Sequence, residues 1–150
     1  MSGLTNDFLE KITSKLVSNF LGVYSANEDI PGKTQRSFSL IFNTGRLGRE
    51  GIHFVSLFVT KNTVYYFDSF GDRNIQRDIA KFIHKLNRKC VMLCKPIQDV
   101  TSNFCGFYAL AFLLWKERNR SIDTFYSLFF KRTLKLNDKI VTKFILNEIK

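Results

Sequence analysis

From Phe104 to Trp115 the chain carries no charged side chain, and apolar residues fill nearly every position. A helix that is apolar all round has no face to give to water and has to be enclosed. The run is short of the roughly 18–20 residues that cross a bilayer, and no other apolar run in the chain reaches that length. It therefore predicts a buried central helix packed on several sides. The chain has 150 residues, one domain by length, with enough other material to wrap such a helix. Hydrophobic residues at 45% and charged residues at 24% fit a folded globular chain and not a disordered one. With 16 Phe, the expected core is Phe-rich.

The remaining patterns supply the wrapping. Thr5 or Asn6 caps a first helix with Phe8, Leu9, Ile12, Leu16, Val17 and Phe20 on one face. Gly22 and the Pro31-Gly32 pair then break the chain. Ser37 to Asn43 alternates apolar and polar residues and reads as a strand. Thr44 to Gly51 is a loop with the glycines Gly45, Gly48 and Gly51 and the charges Arg46, Arg49 and Glu50. Ile52 to Thr60 and Thr63 to Asp68 read as strands joined by a hairpin tip at Lys61-Asn62. After a turn at Phe70-Gly71-Asp72, the spacing of Ile75, Ile79, Phe82, Ile83 and Leu86 predicts a helix over Asn74 to Asn87. Cys90 to Cys94 reads as a short buried strand and Lys95 to Asn103 as a loop. Two amphipathic helices follow the apolar one, from Ser121 to about Lys131 and from Asn137 to Glu148. This order predicts a single α+β domain over residues 1–150, with a small mixed or antiparallel sheet packed against helices.

The chemistry-bearing residues sit at the junctions of these elements. Cys105 stands where the loop enters the apolar helix, with Gly106 directly after it. A helix start offers unpaired N–H groups and a partial positive charge, which favour a thiolate. Gly106 lets a substrate backbone come close. Taken alone, a cysteine here is more often a small buried hydrophobe. The chain has two histidines. His53 begins a strand after the glycine-bearing loop; His84 lies among Lys81, Lys85 and Arg88 on a helix and reads as a surface residue. Asp68 ends the strand that pairs with the His53 strand, so a hairpin carries the carboxylate toward the imidazole. There it would accept from one ring nitrogen and leave the other for the thiol. The competing reading is a turn aspartate bonded to its own backbone. Gln98, in the loop before Cys105, offers an amide N–H that, with the Cys105 backbone N–H, suits an oxyanion. Each feature is weak singly; the ordered set His53, Asp68, Gln98, Cys105 is far more specific. No zinc spacing is present, since Cys90, Cys94 and Cys105 lack a matching histidine pair. Nor is there a phosphate-binding glycine loop, because the glycine-bearing loop leads into a strand and not a helix.

Several runs around these residues resemble the adenovirus endopeptidase family of viral cysteine proteases. They are Phe20-Leu21-Gly22-Val23-Tyr24 with the later Pro31-Gly32, and Phe42-Asn43-Thr44-Gly45-Arg46 leading to Gly51-Ile52-His53-Phe54. The others are Tyr66-Phe67-Asp68-Ser69-Phe70-Gly71, and Gln98 with Ser102-Asn103-Phe104-Cys105-Gly106. The resemblance covers roughly Leu4 to Trp115. It implies that fold, with His53 as base, Asp68 as orienting acid, Cys105 as nucleophile at the start of the central helix and Gln98 as oxyanion-hole donor. It also implies cleavage of virion precursor proteins, often after small residues such as glycine, and residence in the virion and host-cell interior. Stimulation by DNA and by a viral peptide is implied too, with no cofactor needed for the chemistry itself. The chain departs from the family pattern at Phe54, where Trp is usual, and at Asp68, where adenovirus members often have Glu. It is also shorter than typical members, which points to a divergent virus or a virus-derived mobile element. Cys90 occupies a place comparable to the cysteine that tethers the activating peptide in some members, but a buried strand cysteine is the reading its own sequence favours.

Two other functions compete. Relatives of this architecture cleave ubiquitin-like proteins from their targets with the same residue order. A non-enzymatic, nucleic-acid-binding module would account for the formal net charge of +10 and treat Cys105 as core. The most concentrated basic segments are Lys81 to Lys95, with Lys85, Arg88 and Lys89, and Lys116 to Lys135, with Arg118, Arg120, Lys131 and Arg132. An odd number of cysteines, three, and an N-terminus without a basic region leading into an apolar one predict a reducing site of synthesis and no secretion.

Overall fold

The computed structural model describes residues 5–31, 35–44 and 53–149. Gly32, Ile52 and the expected loop from Gly45 to Gly51 lie outside the described residues. Five strands, β1 (Phe20–Ser25), β2 (Phe38–Asn43), β3 (Phe54–Val59), β4 (Thr63–Phe67) and β5 (Lys89–Leu93), form one sheet in the order β1-β2-β3-β4-β5. The sheet is mixed: β2, β3 and β4 are antiparallel neighbours, and the outer strands β1 and β5 run parallel to β2 and β4. The helices are α1 (Asn6–Leu16), α2 (Arg77–Leu86), α3 (Cys105–Glu117), α4 (Ile122–Ser127) and α5 (Asn137–Ile149). This is the α+β class expected from the order of elements.

Alternation along the strands splits the core into two layers. Phe38, Leu40 and Phe42 of β2 face one way with Val55, Leu57, Val64 and Tyr66, and they pack on Ile79 and Ile83 of α2. Ile41, Phe54 and Phe67 face the other way, into the layer built from α1, α3, α4 and α5. Because helices cover both faces, β2 is buried at every position but its last. α3 lies across β3 at the centre of the larger layer, and its residues from Tyr108 to Trp115 are all buried. The Phe-rich core is visible in the stack of Phe67 on Phe112, with ring centroids 4.6 Å apart, and in the rings of Phe112, Trp115 and Phe129 gathered around Phe125.

Four expectations need correction. Phe20 to Ser25 is a strand, so Phe20 is not on the first helix; that helix buries Leu9 and Thr13, while Phe8 is 52% exposed. Gly22 does not end an element. It takes φ +144° inside β1, where the register shifts against β2 and Glu10 accepts from the Val23 N–H at 2.8 Å. β5 is not buried: it is an edge strand with one neighbour, and its Cys90 is exposed, whereas Cys94 just beyond it is buried. α4 stops at Ser127 instead of reaching Lys131, because the Asn137 side chain takes over the backbone at Phe130. Its Oδ1 accepts from the Phe130 N–H at 2.8 Å, and its Nδ2 donates to the Phe130 carbonyl at 2.9 Å and the Ile97 carbonyl at 2.7 Å.

Candidate active site

The hairpin geometry brings His53 and Asp68 together. Thr60 N–H donates to the Thr63 carbonyl at 2.8 Å, closing the tip at Lys61-Asn62, and β3 pairs β4 from Val59–Val64 to Ser56–Phe67. Continued outward, that register sets His53 opposite Phe70, with Asp68 one diagonal step away on the same face. The side chains follow it. The His53 ring packs on the Phe70 ring at 4.5 Å between centroids, and His53 Nε2 lies 2.8 Å from Asp68 Oδ1. His53 itself stands just before β3, its carbonyl accepting from the Thr44 N–H at 2.8 Å.

Asp68 is both things the sequence allowed. The same Oδ1 that meets the imidazole accepts the Phe70 backbone N–H at 2.8 Å, so the turn fixes the carboxylate and the carboxylate fixes the ring. The turn is locked in its own right. Ser69 accepts from the Ile97 and Gln98 N–H groups at 2.9 and 3.0 Å, and Gly71, at φ +80°, lies against Pro96 so closely that a Cβ would stand 2.7 Å from the Pro96 nitrogen. One contact patch thereby ties the Asp68 turn to the loop that carries Gln98.

Cys105 is the first residue of α3 and is 8% exposed. Phe104 before it has no side chain able to cap the helix, so the first N–H groups of α3 are those that a helix leaves without an intrahelical partner. The thiol lies close enough to the His53 ring to favour its charged form. With Nε2 engaged by Asp68, Nδ1 is the ring nitrogen left for the thiol; it is buried and holds no hydrogen bond of ordinary geometry among the described residues. Burial pulls the imidazole toward its neutral form. The hydrogen bond to Asp68, the nearby Cys105 thiol, and the charges of both outweigh it and push the His53 pKa up to about 9. A histidine protonated at neutral pH beside a thiol is the pairing that stabilises a thiolate.

Gln98 is 1% exposed, and its amide is fully engaged on the way to the helix start. Its Oε1 accepts from the Ser69 hydroxyl at 2.6 Å, and its Nε2 donates to the Ser102 hydroxyl at 3.1 Å and the Ser102 carbonyl at 3.2 Å. The structure thus links Gln98 to the segment leading into Cys105 and to the turn bearing Asp68. Ser69, Phe70 and Ser102 hold this arrangement together. Their positions in the motif runs hinted at it, but which atoms they bind depends on loop–loop contacts that no spacing encodes. His84 is exposed in the last turn of α2. Of the two other cysteines, burial pushes the Cys90 thiol up, and that of Cys94 up to about 11.

No family model matches the chain, and no curated protein matches it. Among solved structures, it is similar to the selenomethionine form of the ASFV pS273R protease, at a TM-score of 0.48 and 20% identity, over 73% of this chain and 43% of that one. The chain therefore spans less than half the length of that protease, and a likeness of this extent carries no argument about chemistry; the chemical reading rests on His53, Asp68, Gln98 and Cys105 themselves.

Proposed function

We propose that the chain is a cysteine peptidase that hydrolyses its substrates through Cys105, His53 and Asp68. The observation that carries this reading is the half-buried His53 ring, hydrogen-bonded through Nε2 to Asp68 and leaving Nδ1 for the Cys105 thiol. In the first half-reaction, the Cys105 sulfur forms a bond to the peptide carbonyl carbon, and the carbonyl electron pair moves onto oxygen. His53 gives its proton to the leaving amine as the C–N bond breaks, which leaves a thioester on Cys105. In the second, His53 takes a proton from water, the hydroxyl adds to the thioester carbon, and the C–S bond breaks to release the acid. Asp68 holds the ring in one orientation and stabilises its charged form throughout. The Cys105 backbone N–H is one donor proposed for the oxyanion, and the Gln98 amide is the second, once it gives up one of its two hydrogen bonds to Ser102.

For substrate, we take virion precursor proteins cut after small residues such as glycine, with DNA and a viral peptide as activators; the motif runs around the four site residues support this choice. The test is hydrolysis of a proteome-derived peptide mixture read by mass spectrometry. Wild type is expected to give cuts enriched after Gly or Ala, and Cys105→Ala none, with an unchanged melting temperature. Equal cleavage by the Cys105→Ala protein would remove the assignment. Cleavage of ubiquitin-like fusions in preference to the mixture would replace the substrate class.

A further inference from the structure

Phe70 meets the site twice, through its backbone and through its ring. Its N–H donates to Asp68 Oδ1 at 2.8 Å, the same oxygen that meets His53 Nε2. Its side chain packs on the imidazole, with ring centroids 4.5 Å apart and 35° between the planes. Edge-to-face pairs stand near perpendicular, so this shallow tilt makes the contact one between ring faces. Gly71 follows at φ +80° and lies against Pro96, which leaves the turn little freedom to carry the Phe70 ring away.

Two opposed effects decide what that contact does to His53. An apolar ring takes water from the imidazole, and loss of water favours the neutral form. The face of a phenyl ring carries partial negative charge, and a cation held over it within about 6 Å is attracted. Leucine in the same place would exclude water much as phenylalanine does, but it has no such face. The charged face is therefore what phenylalanine adds, and it acts only when the imidazole is protonated. Among the described residues, the other groups facing the ring are few. Asp68, just beyond β4, and Cys105, at the start of α3, both favour the protonated form, and burial opposes it. Asp72 and Tyr66 line the cavity beside the ring. Asp72 is exposed and accepts from the Asn74 N–H at 2.9 Å, and burial keeps the Tyr66 phenol neutral.

We infer that Phe70 is a positioning residue of the peptidase, its ring face lying on His53 and favouring the charged imidazole that hands a proton to the leaving amine. The role in catalysis rests on the peptidase reading; the ring contact does not. Asp68 acts on the imidazole at its edge, through Nε2, and Phe70 acts across its face, where no hydrogen bond reaches. The effect belongs to one side of the pH profile only. When the Cys105 thiol loses its proton, the imidazole is charged before and after, so the Phe70 face contributes equally to both states and cancels. When the imidazole then loses its own proton, that contribution is lost.

The test follows the His53 ring by NMR in the full chain carrying His84→Ala, which leaves it the single histidine, together with iodoacetamide alkylation of Cys105 against pH. In Phe70→Leu the His53 pKa is expected to fall by about 0.5–1, and the high-pH decline of peptide hydrolysis to move down with it. The low-pH rise of alkylation is expected to stay where it is in wild type. Phe70→Tyr, which keeps the ring face, is expected to stay close to wild type in all three readouts. Pentafluorophenylalanine at position 70 keeps the shape and reverses the charge of the face. It is expected to lower the His53 pKa by more than leucine does, and it covers the case where Phe70→Leu folds poorly. An unchanged or raised His53 pKa in either folded variant would overturn the inference. So would a low-pH limb of alkylation that shifts together with the His53 pKa, since that marks a displaced ring and not a lost face. A wild-type Cys105 that titrates as an ordinary thiol, with His53 still responding to position 70, would instead sink the peptidase reading. The catalytic role of Phe70 would go with it, and the ring contact would stand.

Discussion

Asp68 Oδ1 serves the His53 ring and the Phe70 backbone together, so removing its charge acts on the histidine while the turn can be kept. In Asp68→Asn the carboxylate no longer offsets burial, and the His53 pKa falls from about 9 toward or below its ordinary value. The protonated ring is the form that gives a proton to the leaving amine. Activity in wild type is therefore expected to hold until the pH passes through about 9 and then decline. In Asp68→Asn that decline is expected at lower pH, with the rate reduced on the order of 10²-fold or more. Stability follows the same group. A folded-state pKa raised above the unfolded value stabilises fully below about pH 6.5, and the contribution is lost as the pH rises through about 9. Urea melts at pH 6 and pH 9.5 are expected to differ by less in Asp68→Asn than in wild type. At this scale much of the site was legible: a hairpin with a short tip leaves few ways to align two strands, so His53 and Asp68 could be brought together from spacing alone. The partners of Gln98 were not legible: Ser69 reaches it from a separate turn, and Ser102, four residues on, meets it only through the irregular path of their shared loop.

Between elements, the contact that matters most to the site is Gly71 against Pro96. A side chain at Gly71 would face both a φ of +80° and backbone 2.7 Å away. Gly71→Ala is expected to destabilise the protein by about 2–4 kcal/mol in a urea melt and to lower activity beyond the unfolded fraction, since the same turn carries Asp68. A wild-type melt would contradict the locked turn. One residue further along the 95–103 loop, Asn137→Ala strips a partner from the Ile97 carbonyl, and it also strips partners from the Phe130 N–H and carbonyl. Its expected cost is at least about 2 kcal/mol. The elements missed in the sequence share a physical cause. β1 is paired in parallel to β2, so no tight hairpin tip marks it, and the shift at Gly22 breaks the alternation that would have done so. β5 carries the apolar composition of a buried strand but lies at the sheet edge, and only the strand order reveals that. α4 has helical periodicity past Ser127, but the Asn137 side chain claims the backbone there. The hairpin, α2 and α3 were legible because their signals are local: a tip, a 3.6-residue period, and an unbroken apolar run.

For the molecule as a whole, the enclosed α3 sets the architecture: its apolar surface has to be covered, and sheet and helices cover it. No helix among the described residues is long and apolar enough to cross a membrane. The net charge of +10 is less available than its size suggests. Arg88 donates to the carbonyls of Gln35, Arg36 and Thr60, and Arg118 pairs with Glu148. Arg120 lies over the Trp115 ring at 4.9 Å, and the Lys116 ammonium over the Tyr65 ring at 3.9 Å. Binding to duplex DNA is accordingly expected to be non-specific and to weaken steeply between 50 and 200 mM salt, as measured by fluorescence anisotropy. No binding at the lower salt would remove DNA from the account without touching the peptidase. The central claim is the pairing of Cys105 with His53. Its most direct measurement is the rate of Cys105 alkylation by iodoacetamide against pH, in wild type and His53→Ala, with and without DNA, mapped by mass spectrometry to separate it from Cys90 and Cys94. The wild-type thiol is expected to react well below the free-thiol pKa of about 8.5, with that low-pH reactivity lost in His53→Ala. A Cys105 that titrates at about 8.5 or higher in both folded proteins, in every condition, would contradict it.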